Sequence, residues 1–343
     1  MDICGGAGIS KGPRNLLANG YFSAPISITV EGANIITRSL IVIGQAVLRS
    51  HPFFKKELEA FEEPDTSKAI KQFDTALSSH VGLFIMNGFR AIFHNMTIGL
   101  FTQGGSAPQP IRKWYKKLSF ASIRFAFLAD FIVILYQNKL KKKQKIGGRI
   151  TDALSELYLM SCVLKRFEED GMPEEDYSVV RLCLQNGLHR FEKAMTEAVD
   201  NIDVGALRPV LRLVVSRWGT RIRQASDKLG EDIATNLLKP SAMRDRLTRY
   251  VYIPNNTDEA IGTLEAAMRK SVEVEPLMVK VEKALRKGEL QRYHNSDWIT
   301  EAQEKGILNT EEASLVRESE KLTEKAIAVD HFDPKQIHGV DTE

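Results

Sequence analysis

The sequence predicts an all-α protein, and three observations predict it. Apolar residues recur at steps of three and four from about residue 34 onward. No segment alternates apolar and polar residues with period two over a useful length. Breakers such as TQGGSAPQP and DGMP fall between the periodic stretches. With 343 residues, 43% of them apolar, the chain is long enough for about two domains with real cores. This composition excludes wholesale disorder and fibrous structure. The net charge of +3 is too small to imply a nucleic-acid partner. Cys4, Cys162 and Cys183 lie far apart, which excludes a disulfide framework and a zinc ribbon and fits a reducing compartment.

The elements follow in order. Residues 1–34 are loop-rich, with Gly5, Gly6, Gly8, Gly12, Pro13, Gly20, Pro25 and Gly32. Asn34 is placed to cap a helix running to about Arg49, with Ile36, Leu40, Ile43 and Val47 on one face and Gly44 as a mild interruption. Residues 51–64 form a Pro-bounded connection with a short helix. Asp65 or Thr66 opens a long helix whose apolar positions Ile70, Phe73, Leu77, Val81 and Phe84 step by three and four, as far as about Phe101. A second long helix is predicted from Pro110 to about Lys143. Gly147 and Gly148 punctuate the start of a third, which runs to Glu169, and a fourth runs from Pro173 to about Asp200. Shorter helices follow at 205–217, 226–237, 241–250, 258–287, 297–305 and 310–328, with Asp227, Ser241, Thr257 and Thr310 as cap candidates. The whole reads as an antiparallel helical bundle with a helical tail.

The start, MDICGGAGISKGPRN, lacks a basic region followed by an apolar one, so it does not read as a secretory signal. A glycine cluster is an unusual opening for a domain, and the chain is expected to begin inside a larger fold. The strongest apolar run, Phe125–Tyr136, is shorter than the ~20 residues a spanning helix needs and contains Asp130, so it reads as a buried helix. The basic run Lys139–Lys145 follows it. The favoured reading is a solvated helix end with lysines at the negative end of the dipole; the other is contact with an anionic membrane surface.

Several chemistries are absent. GGAGISKG fails GxGxxG because position 11 is Lys, and it fails the P-loop because the order is Lys11–Gly12. There is no GxSxG and no HExxH. The seven histidines are scattered, and each reads as structural or solvated. KLKKKQK has no interleaved aromatics, so no nucleic-acid platform is read there.

The informative segment is Gly5–Arg38. Gly6 and Gly8 allow backbone N–H groups to approach a polyanion closely. The helix beginning near Asn34 points its positive end the same way. Glu31 follows Ile28–Thr29–Val30, a weakly polar setting that suits a general base. The residues alone leave two readings open: a base beside an anion site, or a capping glutamate in a surface loop.

This segment resembles the C-terminal helical domain of acyl-CoA dehydrogenases, whose pattern is close to G-G-x-G … Y-E-G-T-x-x-x-x-R. It is more similar still to the family's long bacterial form. MDICGGAGI, Gly12–Asn15, Ser23–Ile26 and Ile28–Arg38 stand in that form's order. So do Phe125–Asp130, Leu154–Arg166, Ser226–Leu229 and Val329–Pro334. The resemblance implies the end of the dehydrogenase helical bundle over residues 1–64 and a bacterial-type helical extension over 65–343. It implies FAD as cofactor, with Gly5, Gly6 and Gly8 approaching the flavin of a neighbouring subunit. It implies Glu31 as the base that takes the α-proton of a medium- or long-chain acyl-CoA, with Gly32 leaving room for the thioester carbonyl. The product is the trans-2-enoyl-CoA of fatty acid β-oxidation. The resemblance further implies an electron-transfer flavoprotein as electron acceptor and a homo-oligomeric enzyme; a cytoplasmic location is expected, with peripheral membrane contact as a further expectation. The chain departs from the general family at Ala33 and Ile35, where flavin-contacting residues usually stand, and at Asp2, where Gln is usual. The segments that would enclose the flavin are expected upstream, which makes this chain a C-terminal fragment, inactive alone. The alternative class is a non-catalytic helical module that scaffolds other subunits or a membrane surface.

Overall fold

The computed structural model describes residues 2–9, 17–30, 32–216, 222–291 and 297–328. Among these residues every element is helical, as the periodicity predicts. The chain divides into two compact units, Val30–Ile233 and the combination of Met1–Thr29 with Ala234–Glu343. This division is set by contacts. The 1–64 and 65–343 division follows family motifs and is a different cut.

The unit Val30–Ile233 begins with α3 (Asn34–Ile36), continues through a π-helical turn at Thr37–Ile41, and proceeds into α4 (Val42–Ser50). Asn34 is the first helical residue and not the cap; Ala33 holds the extended cap position. After α5 (Phe54–Glu62), α6 (Thr66–Met96) opens where expected. The Asp65 carboxylate accepts hydrogen bonds from the Ser67 and Lys68 amides and satisfies two of the helix's orphan donors. The helix ends at Met96, short of Phe101, because Ile98 and Gly99 both take positive φ.

α7 (Arg112–Tyr136) also stops before the predicted end. Gln137 turns out of the helix at φ 45, and Gln137–Lys142 winds into a short 3-10 segment. The cause is tertiary: Tyr136 is buried, its hydroxyl accepts from the Asp203 amide at 2.9 Å, and Lys143 reaches the Asp203 carboxylate at 2.5 Å. α8 (Gln144–Glu169) corrects a second expectation. Gly147 and Gly148 lie inside its first turns and do not punctuate it. A Cβ on Gly147 would stand 2.8 Å from the Ser39 carbonyl oxygen, and one on Gly148 would stand 2.7 Å from the Arg38 guanidinium. The two glycines let the π-helical turn lie directly on α8, where Arg38 pairs with both carboxylate oxygens of Asp152.

α8 and α9 (Tyr177–Asp200) form a hairpin, and α10 (Arg208–Val215) closes against α6, α7 and α9. The core is built from Leu128 and Ile132 of α7, Met160 and Leu164 of α8, and Leu184, Phe191 and Met195 of α9. Each such side chain, fully buried, contributes roughly 1.5–3 kcal/mol. By length and composition α7 could cross a membrane. Its inward positions instead pack in this core, and its buried Arg124 and Asp130 find their partners inside the protein, so it is the buried helix that the sequence predicts.

The second unit contains a 3-10 segment at Asp2–Ile9, α1 (Ala18–Ser23) and α2 (Pro25–Val30), where the glycine content predicts loop. Its larger part comprises α12 (Ala242–Thr248), α13 (Ala260–Arg286), α14 (Trp298–Glu304) and α15 (Thr310–Ile327); α11 (Asp227–Leu237) spans the boundary between the units. Val274, Val281, Leu290, Trp298, Leu308 and Val316 form its core. Ser241 caps α12 as expected. α15 is capped by Asn309 and not Thr310: the Asn309 side chain accepts from the Glu312 amide, and Glu312 reaches back to the Asn309 amide. Ser226, rather than Asp227, supplies the side-chain oxygen at the start of α11.

Candidate functional site

The residues expected to carry chemistry are placed unevenly. Glu31 lies outside the described residues, as do the Lys11–Leu16 stretch and the 329–343 tail that includes the Val329–Pro334 motif. Gly5, Gly6 and Gly8 share the segment Asp2–Ile9. Gly5 adopts φ 55 and ψ −140, a region that only glycine enters readily. Gly5 and Gly6 are exposed, and a Cβ on either would meet nothing within 4 Å; Gly8 is buried. Gly32 belongs to the other unit. It is exposed at φ +94 with open space around it, so its requirement is conformational.

Large apolar side chains surround these glycines in sequence and face solvent: Tyr21, Phe22, Ile26 and Ile28 on α1 and α2, and Ile35 and Ile36 on α3.

The described residues hold a polar cluster that the sequence does not announce. His80 on α6 is buried between two carboxylates. Its Nδ1 lies 2.7 Å from Glu57 Oε1 on α5, and its Nε2 lies 3.0 Å from Asp130 Oδ1 on α7. Burial opposes charge on His80, but the hydrogen bonds to Asp130 and Glu57 outweigh it and raise its pKa above the usual imidazole value. Burial likewise opposes charge on Asp130, and the facing His51 and His80 rings outweigh it and lower its pKa. His51 stands on the turn before α5. Its Nδ1 accepts from the Phe53 and Phe54 amides at 3.3 and 2.9 Å, which places the ring proton on Nε2, 3.4 Å from Asp130 Oδ1.

The ligand atoms of His51, His80 and Asp130 lie within 4.8 Å of one another, a spacing that a metal ion could span. The proton positions argue otherwise. A histidine ligand needs a bare nitrogen, and His51 offers only a protonated Nε2. His80 has a carboxylate within hydrogen-bond distance of each ring nitrogen, an arrangement that favours the imidazolium form, which has no lone pair to give. The cluster is a buried ionic clasp joining α5, α6 and α7.

A second buried pair lies deeper. Arg124 of α7 donates to Glu192 of α9 in a two-pronged bond, with one arm at 3.0 Å, and to the Val215 carbonyl oxygen of α10 at 3.3 Å. Sequence reasoning missed both clusters because their members are far apart in the chain. The available signal was His80 itself, which occupies the inward stripe of α6 with Phe73 and Phe84.

A protein-family model described as acyl-CoA dehydrogenase, C-terminal, bacterial type, matches residues 48–332. No solved structure matches the chain. The matched region holds His51, Glu57, His80 and Asp130, together with Arg124 and Glu192. It begins after the glycine segment and Gly32. By that match the chain belongs to the acyl-CoA dehydrogenase family and carries its bacterial-type C-terminal domain.

Proposed function

We propose that this chain works as the C-terminal part of an FAD-dependent acyl-CoA dehydrogenase of fatty acid β-oxidation, with Glu31 as the catalytic base. One observation carries the reading: the family match opens at residue 48, directly downstream of the segment ITVEGANIITR that holds Glu31. Gly5 and Gly6 leave room for a flat cofactor, whereas Gly8 is buried. Gly5 and Gly6 present bare backbone with no side chain filling the space where a Cβ would stand, and those are the residues that would lie against FAD. When bound, FAD supplies the acceptor for the β-hydride.

Glu31 takes the α-proton of a medium- or long-chain acyl-CoA, and the carbanion character that develops is drawn into the thioester carbonyl. Gly32 leaves the space beside that carbonyl free of a side chain. Closure over the acyl chain strips water from the Glu31 carboxylate and strengthens it as a base. The electrons pass to an electron-transfer flavoprotein, the assembly is a cytoplasmic homo-oligomer, and the product is the trans-2-enoyl-CoA. The test is Glu31→Gln in the assembled flavoenzyme. The reading expects turnover to vanish while bound FAD stays near the wild-type level. Parallel loss of FAD and turnover would make Glu31 structural, and full turnover would end the reading.

A second reading, a helical interaction module, is favoured by the outer face of α6. Leu77, Val81, Ile85, Phe89 and Phe93 follow one another at steps of four and are all exposed.

A further inference from the structure

Beside the ionic clasp lies a cavity of about 310 Å³, enclosed by α4, α6, α7, α8 and the turn before α5. It is at the small end of ligand-sized clefts, which run to ~300–1,000 Å³. Its walls are apolar, formed by Ile43, Leu83, Phe125, Val133, Ile150 and Leu154. Ser122 and Ala126 are exposed, so its mouth opens along that face of α7.

Two polar atoms on its lining, Asp130 Oδ2 and Thr151 Oγ1, have no hydrogen-bond partner, and a third, His51 Nε2, has only a long 3.4 Å approach to Asp130 Oδ1. Asp130 is 5% exposed, so this unsatisfied oxygen is well inside the protein. Buried polar atoms left unmet are costly, and each one needs an explanation. Their chemistry is specific. Asp130 gives Oδ1 to His80 and keeps Oδ2 as an acceptor. His51 gives Nδ1 to the Phe53 and Phe54 amides, and its Nε2–H, only loosely engaged by Asp130 Oδ1 at 3.4 Å, can donate to a closer acceptor.

We propose that this cavity binds a neutral amphiphile, a molecule with one hydroxyl head and a short apolar body. A hydroxyl both donates and accepts, so one group can donate to Asp130 Oδ2 and accept from His51 Nε2–H. A carboxylate head would face Asp130 with like charge. An ammonium head can donate to Asp130 but has no lone pair for His51. A purely apolar molecule leaves Asp130 Oδ2 and Thr151 Oγ1 unmet. The inference is independent of Glu31 and of flavin chemistry.

The test is calorimetric titration of the full chain with 1-hexanol, hexanoate and hexylammonium at pH 7. Saturable, one-to-one binding of hexanol is expected, with the two charged analogues at least about tenfold weaker because each leaves a buried polar group unpaired. Thr151→Val, which keeps the shape and removes the hydroxyl, should weaken hexanol by about threefold if Oγ1 contributes one neutral hydrogen bond. Ala126→Trp, at the exposed mouth, should abolish binding while leaving the helical circular dichroism unchanged. Absence of saturable hexanol binding would mean that the cavity holds water only and would overturn the proposal. Equal affinity for all three heads, or unaltered binding in Ala126→Trp, would overturn it as well.

Discussion

The Val30–Ile233 unit carries ion pairs both at its surface, such as Arg38–Asp152, and deep in its core, whereas those of the α13–α15 hairpin reach the surface. In the first, Arg124 and Glu192 are each almost wholly buried, and His80 is enclosed between Glu57 and Asp130. In the second, Lys280–Glu312, Lys270–Glu318 and Arg317–Asp297 each have at least one exposed partner, although Lys270 and Glu312 are themselves largely covered. A charge pair in water gains little and is screened. A pair inside the protein must be complete, because the partner left behind by a substitution has nowhere to find water. Position in the dielectric, and not the number of pairs, sets what each pair contributes.

The largest expected effect comes from breaking the Arg124–Glu192 pair. Arg124→Met alone strands Glu192 in the core and should cost about 3–5 kcal/mol in urea denaturation. The double variant Arg124→Met with Glu192→Leu should recover most of that loss, since well-packed apolar replacements of a buried pair are often near neutral. A single variant within about 1 kcal/mol of wild type would place the pair with the surface pairs and remove the contrast between the two regions.

The clasp sharpens the contrast through pH. The pKa of His80 is raised above 6.5, so its contribution is fully present below pH 6.5 and fades as pH climbs through the folded-state value. The pKa of Asp130 is lowered below 3.8, so its contribution is present above pH 3.8 and is lost as pH falls through its folded-state value. The clasp is therefore strongest between these limits. His80→Gln should cost about 1–3 kcal/mol at pH 5.5, the value of hydrogen bonds to charged groups, and distinctly less at pH 9. A penalty that stayed flat from pH 5.5 to 9 would show that His80 is neutral in the fold. The Asp297 pair of the surface hairpin should respond to acid instead. Asp297, held down to a pKa of about 2 by the Thr300 hydroxyl and Arg317, keeps its charge until well below pH 3.8.

The sequence made the helices legible and left the joints obscure. A period of 3.6 residues is local, so α6, α8, α9 and α13 could be read to within a few residues. The ends depend on contacts that no local pattern contains. Tyr136 ends α7 because Asp203, 67 residues later, donates to its hydroxyl. Gly147 and Gly148 read as punctuation because the reason for them, the π-helical turn at Ser39, arrives from elsewhere in the chain. His80 and Asp130 are separated by 50 residues, so no spacing rule could join them. The glycine bend was partly legible: Gly5 and Gly32 do take backbone angles that need glycine. Their role toward a cofactor came from resemblance alone, since a glycine reports what the backbone must do and not what lies against it.

The smallest expected effects lie in the hairpin, where one residue takes part in two interactions. Glu312 closes the capping box of α15 and also receives Lys280 from α13 at 2.5 Å. Asn309→Ala removes the side-chain cap and should cost about 1 kcal/mol, with little dependence on salt. Lys280→Met removes only the ion pair and should cost less than loss of the cap, shrinking toward nothing at about 1 M salt. The two substitutions should not add fully, because both act on Glu312: its amide loses the Asn309 side chain in one, and its carboxylate loses Lys280 in the other. Measured as a double-mutant cycle at low and high salt, a coupling that disappears with salt would locate the hairpin's ionic stability at its surface. A coupling that persisted would mean that Lys280 and Glu312 are as sheltered as Arg124 and Glu192, and the two regions would then differ in packing alone.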